Sequence, residues 1–269
     1  MKQFPRLLGT LPVLLGLLVI GASPASATHS WGGYHWSRQS NPFTVTLGNN
    51  LVSTWTPYLT QSATDWARTS GSCNNAANPI RCSVVTGSGG SNCKSVSGTV
   101  QVCNKTYGNT GWVGICGISV SGTHITSSYV KMNDTYFNTS TYNTPDWRQL
   151  VMSQEIGHSF GLDHQDTNNY NADLLDACGR GSCMDYSSTP ANQTTPNQHD
   201  YDELVTIYGH IGAPEAPDRV IASSREDDID WTDSSNWGQP VRFIDGRGVE
   251  FERDLGNGRK QVTYVTWAQ

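Results

Sequence analysis

Apolar residues run almost unbroken from Leu7 to Ile20, behind Lys2 and Arg6 and ahead of Ala25-Ser26-Ala27. A basic start, an apolar run of about 14 residues and a small-x-small triplet predict an export signal cut after Ala27. That run is too short to span a bilayer comfortably. Beyond it the pattern breaks into shorter periods. Phe43-Thr44-Val45-Thr46-Leu47 alternates, which predicts a strand. Trp55, Tyr58, Leu59, Ala63 and Trp66 then recur at helical spacing. Strand-like runs follow at 83–86, 98–103 and 123–132. Thr144-Pro145 opens a second helix, with threonine as N-cap and proline in the first turn. Thr195-Pro196 opens a third that runs to Tyr208, with Gln198 at capping-box spacing. Near the end, 249–255 and 261–267 alternate on either side of Gly256-Asn257-Gly258, a hairpin signal.

Charge divides the chain. Charged residues make up about 11% of 28–210 and about 31% of 211–269. Gly212-Ala213-Pro214-Glu215-Ala216-Pro217 marks the junction as a linker. The expected organisation is a signal peptide at 1–27, a main domain at 28–210, and an acidic linker with a small β-rich appendage at 211–269. The acidic stretch 225–233 is expected to be poorly ordered, and no internal repeat is present. Two of the 17 basic residues lie in the leader, so the mature chain carries a net charge of about −8 against its 23 acidic residues. That balance argues against nucleic acid or an anionic membrane as partner. Seven cysteines in an exported chain predict disulfides. Proximity pairs Cys73 with Cys82, Cys93 with Cys103 and Cys178 with Cys183, and leaves Cys116 free and buried. With no Cys-x-x-Cys, a cysteine zinc site is the lesser reading.

The chemistry concentrates in Gln154-Glu155-Ile156-Gly157-His158-Ser159-Phe160-Gly161-Leu162-Asp163-His164. Residues 154 and 158 fall one helical turn apart on one face. Glu155 borders the same cleft. Gly161 can take a positive φ and end the helix, letting His164 return from another direction. Three ligands and one open position make a catalytic zinc site. Here the first ligand position holds glutamine, and an amide oxygen is a weak donor to zinc.

Twenty residues on, Ser182-Cys183-Met184-Asp185-Tyr186 resembles the Met-turn of the metzincin clan of zinc metalloproteases, which includes matrixins, astacins and serralysins. With the helix motif, it makes residues 28–210 similar to that clan's catalytic domain. The resemblance implies an α+β fold with a mixed twisted sheet, an active-site helix, a Met-turn and a C-terminal helix, the β-hairpin tail lying outside it. It implies His158 and His164 as zinc ligands with Gln154 in the third place, and Glu155 as general base. Met184 would be the floor of the site and Tyr186 an oxyanion stabiliser, or a ligand in place of Gln154. The activity implied is that of a secreted, monomeric endopeptidase acting on protein or peptide. About 15 residues separate the leader from the first strand, so no inhibitory propeptide is expected.

Other readings stand beside this one. Gln154 and the absent propeptide favour a pseudoprotease that binds peptide or extracellular polymer, and a metal-free wall-associated protein is a third. Asp163, Asp166, Asp173 and Asp176 read first as a solvated loop, with Ca2+ as the alternative. His29 and His35 are expected at the surface, and His124, His199 and His210 in structural roles. Trp231, Trp237 and Trp267 are expected to form a tiny core or pack on the main domain, a glycan-binding face being the alternative.

Overall fold

The computed structural model describes residues 29–70, 73, 77–166, 175–210 and 229–269. The signal peptide, Asp173 and residues 211–228, with most of the linker, lie outside the described residues. None of the described helices is long and apolar enough to cross a membrane.

The fold is α+β, with one mixed sheet of nine strands and four helices among the described residues. The strands are β1 (His35–Trp36), β2 (Phe43–Asn50), β3 (Ile80–Thr86), β4 (Thr99–Lys105), β5 (Trp112–Ser121), β6 (His124–Asn133), β7 (Gln239–Ile244), β8 (Arg247–Gly256) and β9 (Arg259–Trp267). The helices are α1 (Thr56–Trp66), α2 (Asp134–Phe137), α3 (Pro145–His158) and α4 (Gln198–Ile207). The sheet order is β3-β2-β4-β6-β5-β9-β8-β7, with β1 also on β6. From β3 to β6 the pairing is parallel, because α1 carries the chain back between β2 and β3. From β6 to β7 it is antiparallel, through the hairpins β5–β6, β7–β8 and β8–β9 and the long-range pair β5–β9.

The periodic residues behave as their spacing requires. Leu59, Ala63 and Trp66 of α1 are buried, and α1 packs on α3. The N-cap and Pro145 open α3 as read, with the Thr144 hydroxyl accepting from the Trp147 amide at 3.2 Å. The last helix starts later than Thr195-Pro196 suggests. Asn197 is its cap, and Asp200 closes the capping box by accepting from the Asn197 amide. An asparagine satisfies the first turn directly, so the threonine is left outside.

Two expectations are corrected. The cysteine pairs are Cys73–Cys178 and Cys93–Cys103, with Cys82, Cys116 and Cys183 free. Sequence proximity failed for Cys73 because Cys82 sits within β3 and Cys183 is fully buried in the main core, while the chain brings Cys178 back beside Cys73. Two disulfides suit an oxidising compartment. The tail does not stand apart either. The hairpin forms, but β9 pairs with β5 along Trp112 to Ser121, so β7, β8 and β9 extend the main sheet. Trp231 and Trp237 pack with Trp112 and Tyr129 of the main domain.

β5 was not read from the sequence at all. Its glycines give room. A Cβ at Gly114 would meet Val151 and Glu155, and one at Gly117 would meet the Tyr129 ring.

Candidate metal and catalytic site

The site is built where α3 ends. Its last five residues, Gln154 to His158, are all buried. Gly161 has φ of +91°, and a Cβ there would collide with the Tyr34 carbonyl oxygen. The chain reverses at this glycine, and its return is fixed by an N-terminal segment. The Trp31 amide donates to Gly161 O at 2.7 Å and the Asp163 amide donates to His29 O at 2.6 Å. His164 is thereby brought to His158, ring centres 5.0 Å apart. The Gln165 amide donates to Met184 O at 2.7 Å, fastening the turn at Cys183-Met184 under the same loop. Met184 lies against Gly157, where a Cβ would strike its sulfur.

His158 Nδ1 lies 2.8 Å from Leu162 O. A carbonyl only accepts, so Nδ1 carries the proton and Nε2 presents a lone pair. His158 Nε2 and His164 Nε2 are both buried with no hydrogen-bond partner, and so are both Glu155 carboxyl oxygens. Burial pushes Glu155 up to about 8, opposed only in part by the neighbouring Thr266 hydroxyl. Burial also pushes His158 down to about 3 and His164 well below its ordinary value.

Gln154 is the exception in this set. Its Nε2 donates to Cys183 O at 2.9 Å and to Asp185 O at 3.0 Å. Its Oε1 accepts from the Thr266 hydroxyl at 3.0 Å. The amide is therefore turned with its donors to the 183–185 backbone, and the one atom that can ligate a metal already accepts one hydrogen bond. The two histidines fit a divalent ion through their orphaned nitrogens. Gln154 Oε1 keeps one lone pair beside the Thr266 bond, and an amide oxygen is a weak third donor. Among the described residues no carboxylate or cysteine joins the two imidazoles within ligand distance.

Tyr186 stands edge-on to His164 at 4.0 Å between ring centres. Its hydroxyl is 2.8 Å from that of Tyr264, and burial pushes it up to about 12. Tyr264 and Thr266, both on β9, are the site residues that sequence reasoning missed. The Tyr264 ring stacks on His158 at 4.1 Å, and its hydroxyl lies 3.4 Å from His164 Nδ1. The alternation of β9 puts Val262, Tyr264 and Thr266 on one face. That signal was present, but nothing in the sequence says which strand β9 joins. A cavity of about 310 Å3 adjoins the site, lined by Trp147, Leu150, Val151, Gln154, Tyr186 and Trp267 among others.

The remaining candidates fall elsewhere. His29 and His35 are buried, not at the surface. His29 Nε2 is 3.2 Å from Asp200 Oδ1, and His35 Nδ1 donates to Gly33 O at 2.9 Å. Both belong to the segment that zips along the histidine loop, which their polarity concealed. Asp163 pairs with Arg242, and Asp176 pairs with Arg180 at 2.8 Å. The ligand atoms of Cys73, Asp176 and Cys178 converge, but the two sulfurs are joined to each other.

No protein-family model matches the chain, and no curated protein matches it.

Proposed function

We propose that this chain is a secreted zinc-dependent endopeptidase of the metzincin type. The observation that carries the reading is the clustering of orphaned buried groups: His158 Nε2, His164 Nε2 and both Glu155 oxygens. Leaving a buried polar group unpaired costs about 1–3 kcal/mol, so a cluster of them in one place points to a ligand.

His158 and His164 would hold the ion, with the Leu162 carbonyl fixing the tautomer of the first. A zinc ion would polarise a peptide carbonyl and acidify water at the site. A carboxyl near neutrality can both take a proton and return it. Glu155 would accept the proton from the attacking water and deliver it to the nitrogen of the departing amine. A cation beside it would favour its ionised, basic form. Tyr186, when free of Tyr264, would donate to the developing oxyanion.

A second reading is favoured by the hydrogen bonds of Gln154, which engage both of its amide atoms with protein partners. In that reading the fold is a pseudoprotease that binds peptide or polymer. Metal content by mass spectrometry on residues 28–269 after zinc loading, with Gln154→His alongside, separates the two. Stoichiometric zinc and casein hydrolysis that falls about 100-fold or more in Glu155→Ala are expected of the enzyme. Zinc in Gln154→His alone would give the pseudoprotease. Zinc in neither would end the metal reading.

A further inference from the structure

The pair of imidazoles and Glu155 are sealed by a strand of the chain's own C-terminal part. Glu155 and His158 expose none of their surface and His164 only 3%. A hydrolytic site must admit substrate, and this one is covered from β9. Tyr264 lies flat on His158 and joins hydroxyls with Tyr186. Thr266, two residues on, donates to the only side-chain oxygen of Gln154, the atom a metal could use.

We infer that β9 is a displaceable cover that keeps the site latent, and that its withdrawal both opens the site and frees Gln154 Oε1 as the third metal donor. The inference rests on the metallopeptidase reading and adds its regulation. One movement of one strand would change three things together. The face of His158 would be bared, the Tyr186 hydroxyl would be released, and the Gln154 side chain would keep its two carbonyl anchors while its oxygen turned free. The anchors matter, because Cys183 O and Asp185 O would hold Gln154 in place without β9.

The composition of β9 is mixed, with Val262, Tyr264 and Val265 buried beside polar positions. Gln261 and Thr263 are polar yet buried, and a permanent central strand gains more from apolar side chains. No described disulfide reaches it, since the two described bonds lie at or before Cys178. Its hold is the ladder to β5 and β8 and the burial of Val262, Tyr264 and Val265, while its neighbours in the sheet add polar contacts, Arg242 with Asp163 and the Tyr34 hydroxyl donating to Glu252 at 3.1 Å. With β9 gone, β5 becomes an antiparallel edge open to another extended chain.

The test uses the full mature chain and the double variant Tyr264→Ala/Thr266→Val, which removes both site contacts but keeps a strand-forming sequence. A chain ending at Gly256 is the second variant, with circular dichroism confirming the fold of each. Two quantities are read. One is the rate at which diethylpyrocarbonate modifies His158 and His164, followed by peptide mass spectrometry. The other is zinc affinity by chelator competition. The cover predicts modification at least tenfold faster and zinc at least tenfold tighter in a folded variant. Unchanged rates and unchanged affinity in a folded variant would overturn it. Hydrolysis is scored separately. Opened variants that bind zinc tightly but cleave nothing would leave the cover standing and sink the peptidase. An intact chain that cleaves as fast as the opened variants would do the reverse.

Discussion

At the scale of residues, Glu155 and His158 make opposite demands on pH. In the metal-free protein the unfolded His158 takes a proton near its ordinary value of 6.5, while the folded one waits until about 3. Between these the unfolded state binds more protons, so stability falls as pH drops from about 6.5. Glu155 ionises near 4.5 when unfolded and near 8 when folded. There the folded state binds more protons, and stability falls as pH rises from 4.5 to 8. Glu155→Gln should flatten that alkaline decline, worth about a few kcal/mol, in thermal unfolding of chelator-treated protein. A slope equal to the parent's would mean that Glu155 is not held neutral. Gly161→Ala faces the left-handed backbone strain of about 1–3 kcal/mol before its collision with Tyr34. Urea unfolding should show at least that loss.

At the scale of elements, α3 and the α1 face were legible because both obey a single period and carry their own start signals. Thr144→Ala should cost α3 about 1 kcal/mol in denaturant unfolding, the Trp147 amide losing its acceptor. β5 was not legible, because its glycines answer to Glu155, Val151 and Tyr129, which lie far off in sequence. The motif of His158, Glu155 and His164 could be read because ligand spacing on one helix is local. Tyr264 and Thr266 could not, because their place depends on pairing with Cys116 and Gly114 of β5, about 150 residues earlier. The Cys73–Cys178 bond is a similar case, closing a separation of 105 residues. Replacing both cysteines with alanine should cost about 5 kcal/mol on the loop-closure account, read from the denaturation midpoint.

At the scale of the molecule, the boundary seen in charge density is real as composition but not as packing. The charged tail from 239 onward is continuous with the sheet of the weakly charged part. The sheet ends at β7, where Val241 and Phe243 are exposed and register shifts on either side of Arg242 break the ladder. Such irregularity makes a poor template for further strands.

All seven cysteines lie at or before Cys183, and this has a consequence for what a single cut would do. While the chain is whole, residues 229–269 meet their groove at an effective concentration of millimolar order, whatever the dilution of the protein. One scission at Arg219 or Arg225 would leave two pieces with no covalent bond between them. Occupancy of the groove would then follow mass action, and a nicked sample should part on a sizing column as it is diluted, at a temperature where the uncut chain is unaffected.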